Sequence, residues 1–309
     1  MSSDDDPFDV TARPPEWPNS VEIVLATAVP EPPATDTRPA ALRRRWKIPL
    51  LLFVATCLST FLAGGWTFAL CLMAILVCHE AGHFIQAKRY GVLATYPYFL
   101  PMPLSPIGTL GAVIAMDRRI RDRKALFDIG ITGPLAGLAP TIVFCVVGLS
   151  WSQPATEMEI LSAPPAEVYG SPVLFDALAA KLVPALPADA EVRVKMHPMA
   201  FAGWVGLLVT ALNLIPIGQL DGGHVLYALL RRKAHWVAMF LLVAAMAAIV
   251  LSGYYWWTLM VVLLTLMGPK HPPTADDHAP LGPGRAVLGW LTLAFLLLGF
   301  TPNPFPRLS

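Results

Sequence analysis

Residues 66–78 contain no charged side chain, and this run leads directly into His79-Glu80-Ala81-Gly82-His83. A stretch this apolar must satisfy its own backbone N–H and C=O groups wherever water is absent, as a spanning helix does. On a helix, residues four apart share a face, so His79 and His83 project together and can hold one zinc ion, while Glu80 between them can poise a water. Two imidazoles and a carboxylate at membrane depth are costly unless they line a wet cavity or bind an ion. Further apolar runs near residues 48–63, 66–86, 125–151, 199–215, 236–251 and 254–267 each approach the roughly 20 residues a spanning helix needs, and 286–300 is a shorter seventh. Only 14% of the chain is charged and 55% is hydrophobic, against about 25% charged in soluble domains. The expected fold is an all-α polytopic membrane protein with six to seven transmembrane helices and a re-entrant, partly β-hairpin segment.

The basic residues set topology. Arg43, Arg44, Arg45 and Lys47 precede the first run and Lys88 and Arg89 end the second; Arg118, Arg119, Arg121, Arg123 and Lys124 precede the third, and Arg231, Arg232 and Lys233 the fifth. All are expected on the cytoplasmic face, with the more acidic stretch 161–194 outside. That arrangement closes only if residues 91–116 enter and leave on one side. Pro97, Pro101, Pro103, Pro106, Gly108 and Gly111 break this segment too often for a spanning helix, so a re-entrant hairpin is expected, with residues 108–116 as an exposed strand edge. The domain plan is a disordered cytoplasmic tail at 1–45, a core at 46–268 with the re-entrant segment 91–116 and an external loop 152–197, and a linker plus C-terminal apolar helix at 269–309. Cys57, Cys71, Cys78 and Cys145 all lie in apolar runs and read as small packing residues. A net charge of +1 with no basic face gives no case for nucleic acid. The first 37 residues resemble neither a signal nor a transit peptide, and the expected location is a bacterial inner membrane with a cytoplasmic N-terminus.

A second constellation, Asn213-Leu214-Ile215-Pro216-Ile217-Gly218-Gln219-Leu220-Asp221-Gly222-Gly223-His224, interrupts an apolar run with a proline, three glycines and an aspartate. Broken helices at membrane depth typically mark places where polar groups meet an ion or a substrate. Asp221 supplies a third protein ligand, leaving one tetrahedral position open, as a catalytic zinc site requires.

HExxH on an apolar helix, followed over a hundred residues later by this NLxPxGxLDGGH pattern, resembles the site-2 protease family of intramembrane zinc metalloproteases, peptidase family M50. His197-Pro198, Trp204, Gly206 and Thr210 extend the likeness to the branch of plant plastid and bacterial members without a PDZ domain. The resemblance implies one zinc per chain held by His79, His83 and Asp221, Glu80 as the base, and Asn213 as a contact to the substrate backbone or oxyanion. It also implies transmembrane protein substrates cut within the lipid bilayer. Gly133-Pro134-Leu135-Ala136-Gly137 resembles the family's Gly-Pro element, although Gly137 stands where many members have asparagine.

Two other classes fit parts of the pattern: a metal or proton transporter using His79, His83 and Asp221 as a pathway, and a catalytically inactive scaffold that binds client helices. Asp221 is also a good helix N-cap, and Asn213 could satisfy carbonyls freed by Pro216. His224 reads as structural or as support for a ligand and stays outside the metal set. His197, His235, His271 and His278 fall at run ends or in loops and are expected to be solvated. Substrate identity and oligomeric state are left open by the sequence.

Overall fold

A computed structural model describes residues 46–117, 120–155, 169–183 and 194–304; the tail expected at 1–45 lies outside them. Helix α1 (Lys47–Arg89) is 43 residues long, which at 1.5 Å per residue would be about 65 Å if straight, roughly twice a bilayer's hydrocarbon thickness. It is not straight. Gly65 adopts φ 77° and ψ −176°, a conformation open to glycine and costly for any residue with a Cβ, and it separates the two apolar runs that the sequence contains. Phe53 and Cys57, before the break, pack on the same buried cluster as Phe68, Cys71 and Leu72 after it. Lys88 and Arg89 end the helix, where their charge complements the helix dipole.

Strands β1 (Tyr98–Pro101) and β2 (Thr109–Val113) form the antiparallel hairpin expected within 91–116, extended by a bridge between Ala94 and Met116. Ser59 of α1 donates to the Gly108 carbonyl at 2.7 Å, and Phe53 meets Phe99 edge-on at 5.1 Å. These contacts hold the hairpin against the first half of α1.

Helix α2 (Arg123–Ser150) starts at Asp122, whose carboxylate accepts from the Ala125 N–H at 2.8 Å, as an N-cap should. A short strand pair, β3 (Gln153–Pro154) with β4 (Val194–Lys195), and helix α3 (Val173–Leu182) follow. Phe175 and Ala179 of α3 join the main core. Helix α4 (Pro198–Asn213) lies along α2 through small residues, since a Cβ on Gly203 would meet Cys145 at 2.6 Å and one on Gly206 would meet Thr141 at 2.6 Å. Close backbone approach through glycine is the usual means of helix association in lipid, where burial of apolar area gives no drive.

Helix α5 (Asp221–Leu230), a 3-10 turn (Arg231–Lys233), α6 (Ala234–Ser252), α7 (Thr258–Met267), α8 (Pro283–Ala294) and α9 (Leu296–Gly299) complete the chain. Three helical stretches, Lys47–Arg89, Arg123–Ser150 and Asp221–Ser252, are long and apolar enough to cross a membrane, and Pro198–Asn213, Thr258–Met267 and Pro283–Gly299 are shorter apolar helices. Trp236, Phe240, Val250 and Leu251 of α6 are largely exposed, a face suited to lipid.

One ion pair ties the C-terminal helix to the core. Arg285 of α8 donates to both oxygens of Asp128 on α2, at 2.8 and 2.9 Å, and Tyr90 at the end of α1 donates to Asp128 at 2.5 Å. Arg285→Met leaves that carboxylate short of its cation, and because Arg285 is part exposed, the expected loss is about 1–3 kcal/mol. Thermal unfolding in detergent measures it; an unchanged midpoint contradicts the clamp.

Candidate metal centre

The second half of α1 carries His79, Glu80 and His83, all buried at 4–6% exposure. Facing them is the break between α4 and α5. Helix α4 ends at Asn213, the chain turns through Gly218 at φ 60°, and α5 begins at Asp221. A Cβ on Gly222 would collide with the Leu214 carbonyl, so glycine there lets the first turn of α5 fold tightly back on the end of α4. Asn213 and Asp221 are thereby delivered to one side, and Asp221, in the first turn of α5, sits where the helix dipole favours a carboxylate.

Three side chains converge from two helices. His79 Nε2 lies 3.1 Å from Asp221 Oδ2, His83 Nε2 lies 3.2 Å from Asp221 Oδ1, and the two Nε2 atoms are 3.2 Å apart. A tetrahedral zinc with bonds of about 2.0–2.1 Å places its ligand atoms about 3.3 Å from one another; the Nε2–Nε2 separation matches one such edge, and each imidazole has one Asp221 oxygen at a similar distance. His83 Nδ1 donates to the Ile129 carbonyl of α2 at 2.8 Å, which fixes the tautomer with the Nε2 lone pair directed at the other donors. The ring lies over Gly133, where a Cβ would overlap Nε2 itself. Asn213 Nδ2 is 3.3 Å from His79 Nε2. The donor set therefore fits a single zinc, and Cys78 is outside the group.

The cluster opens onto a cavity of ≈ 360 Å³ that Glu80 also lines. Residues 112–117, from the end of β2 onward, form one wall, and residues 271–274 form another. Among the described residues β2 pairs with β1 alone, so its other edge has no strand partner.

His271 corrects the sequence reading. It is not solvated but buried, at 7% exposure, with its Nε2 2.6 Å from His224 Nδ1. The linker folds back over α5: Tyr227 donates to Asp277 at 2.7 Å, Arg123 donates to the Ala279 carbonyl at 3.4 Å, and the Ala275 N–H donates to the Ile120 carbonyl at 3.0 Å. His235 donates to the His271 carbonyl and is half-buried, His197 caps α4, and His278 is exposed as expected. No local pattern in His271-Pro272-Pro273-Thr274 signals this burial, because it comes from contacts distant in sequence.

The family model for peptidase family M50 matches residues 67–252, more than half of the chain and all of the converging donors. The chain belongs to peptidase family M50. This M50 chain is 36% identical over 156 residues to the probable zinc metalloprotease EGY1, chloroplastic, of Oryza sativa subsp. japonica, covering 50% of the chain and 26% of that protein. It is 33% identical over 181 residues to EGY2, chloroplastic, of Oryza sativa subsp. indica, covering 57% of the chain and 32% of that protein. With EGY3, chloroplastic, of the same subspecies it shares 30% identity over 241 residues, covering 75% of the chain and 41% of that protein. The chain thus spans well under half the length of these relatives. No solved structure matches it. The relatives are named chloroplastic, and this overturns the expected bacterial inner membrane.

Proposed function

We propose that this M50 chain is an intramembrane zinc metalloprotease that hydrolyses peptide bonds in or near the transmembrane segments of membrane-anchored proteins, in a plastid membrane. The observation that carries the reading is the convergence of His79, His83 and Asp221, whose two Nε2 atoms lie 3.2 Å apart with an Asp221 oxygen 3.1–3.2 Å from each, and Glu80 lines the same cavity. In this reading the three ligands hold one zinc. When bound, zinc supplies Lewis acidity, polarising a carbonyl and making water a competent nucleophile near neutral pH. Glu80 takes a proton from the attacking water and passes it to the leaving amine. Asn213 Nδ2, beside His79 Nε2, donates to the oxyanion as it develops. A peptide within a membrane helix has its carbonyls bonded internally, so it must unwind before attack; the edge of β2 that has no strand partner among the described residues offers backbone groups to an extended strand.

Six spans, with α1 counted as two around Gly65 and α8–α9 as a seventh apolar element, suit such a site at membrane depth. Residues 91–116 then enter and leave on one side; of the external loop 152–197, the described residues 152–155, 169–183 and 194–197 lie on the other, the rest falling outside the described residues; and residues 269–304 form a linker and an apolar helix. A transporter would be expected to show paired repeats with two broken segments, and the described residues contain one such break in the site.

The test is co-expression with labelled single-span proteins and mapping of the new termini. Cleavage within or beside the span supports the reading; intact substrates throughout a broad panel contradict it. Asn213→Ala is expected to retain zinc and lower kcat about 10²-fold, read by steady-state cleavage; an unchanged kcat removes Asn213 from the chemistry.

A further inference from the structure

His224 and His271 form a pair that the metal site does not use. His271 Nδ1 lies 2.5 Å from the Pro272 carbonyl, which can only accept, so this nitrogen carries the proton. Burial, with the neighbouring His235, pushes the His271 pKa down to about 4, so the ring is neutral at ordinary pH and its Nε2 is an acceptor. His224 Nδ1 must then donate across the 2.6 Å contact. A neutral His224 is left with its lone pair on Nε2, which has no protein partner among the described residues, on a side chain that borders the metal cavity. Tyr227 stacks on the His271 ring with centroids 4.6 Å apart, holding it in place from the other side. His271 lies outside residues 67–252, the part of the chain matched to the family.

We propose that His271 is a positioning residue that locks His224 in the tautomer whose Nε2 lone pair faces the cavity, where it accepts a hydrogen bond from a backbone N–H of the bound peptide. The second half of this statement rests on the peptidase reading. An extended peptide directs its N–H groups alternately to its two sides; β2 meets one side and the start of α5, with His224, meets the other. An acceptor at that point suits a peptide N–H and rejects a carbonyl.

Full-length, zinc-loaded protein labelled with 15N-histidine tests the tautomer directly by NMR in detergent. Wild type is expected to show His224 protonated at Nδ1 and bare at Nε2. His271→Phe should release it into exchange between tautomers, and His271→Asn, whose side-chain oxygen can accept from Nδ1, should retain the wild-type pattern. A wild-type His224 protonated at Nε2, or one unaltered in His271→Phe, overturns the locking role. On a single-span peptide that wild type cleaves, His271→Phe is expected to raise KM about tenfold with kcat and zinc content unchanged, the loss of one hydrogen bond, and His271→Asn to restore it. An unchanged KM in His271→Phe overturns the substrate contact. If wild type cleaves no peptide, the peptidase reading and the substrate contact fall together, while the NMR result still decides what His271 does.

Discussion

Glu80→Gln is expected to lower the cleavage rate by about 10²–10⁴-fold while leaving zinc in place. The substitution keeps the size and shape of a side chain that is 4% exposed, so the packing of α1 against α2 is preserved, and it removes the one property the mechanism requires, a carboxylate able to take up a proton. Gln has no such base. Zinc should remain because the donors His79, His83 and Asp221 are untouched. The measurement is the rate of substrate cleavage alongside zinc content in the same preparation. Equal cleavage by wild type and variant removes Glu80 from the chemistry, and loss of zinc together with activity would make its role structural.

Gly133→Ala is expected to empty the site. A Cβ at Gly133 would overlap Nε2, Cδ2 and Cε1 of His83, so the imidazole must leave the place where its lone pair meets the other donors. The backbone has little room to yield, because on the same α1–α2 seam a Cβ on Gly82 would already collide with the Thr132 carbonyl, and His83 is tied to Ile129. Zinc content should fall below about a tenth of the wild-type value, since removing one ligand or its support typically costs 10–100-fold in affinity. Gly137→Ala is the contrast: its Cβ would lie 3.0 Å from His79 Cβ and 3.2 Å from Nδ1, a crowding that a small shift relieves, so most zinc should stay. Atomic absorption on both proteins, with circular dichroism to confirm helicity, separates the cases. Full zinc in Gly133→Ala contradicts the geometry of the cradle.

The difference between these two glycines shows what the sequence could and could not convey. His79 and His83 were legible because helical spacing alone puts them on one face, and Asp221 because a carboxylate beside Pro216 and three glycines breaks an apolar run at a cost that needs a reason. The hairpin at 91–116 was legible from its prolines and glycines. Gly133 stood out as part of a Gly-Pro element, yet nothing local indicated that it, rather than Gly137, would underlie an imidazole, because that depends on the rotation of α1 against α2. His271 was misread for the same kind of reason: its neighbours are polar and proline-rich, and its burial arises from the linker crossing α5. The break at Gly65 was visible as a gap between two apolar runs, whereas the packing of both halves on one core was not. The number of spans is set by helix length and depth together, and α4 and α7 are too short for length alone to decide.

The central claim is that His79, His83 and Asp221 hold one zinc ion between them. X-ray absorption at the zinc edge of the purified wild-type protein tests it most directly. The account predicts one zinc per chain with two imidazole nitrogens and carboxylate or water oxygens at about 2.0–2.2 Å; a sulfur shell at about 2.3 Å, or no imidazole in the coordination sphere, would contradict it.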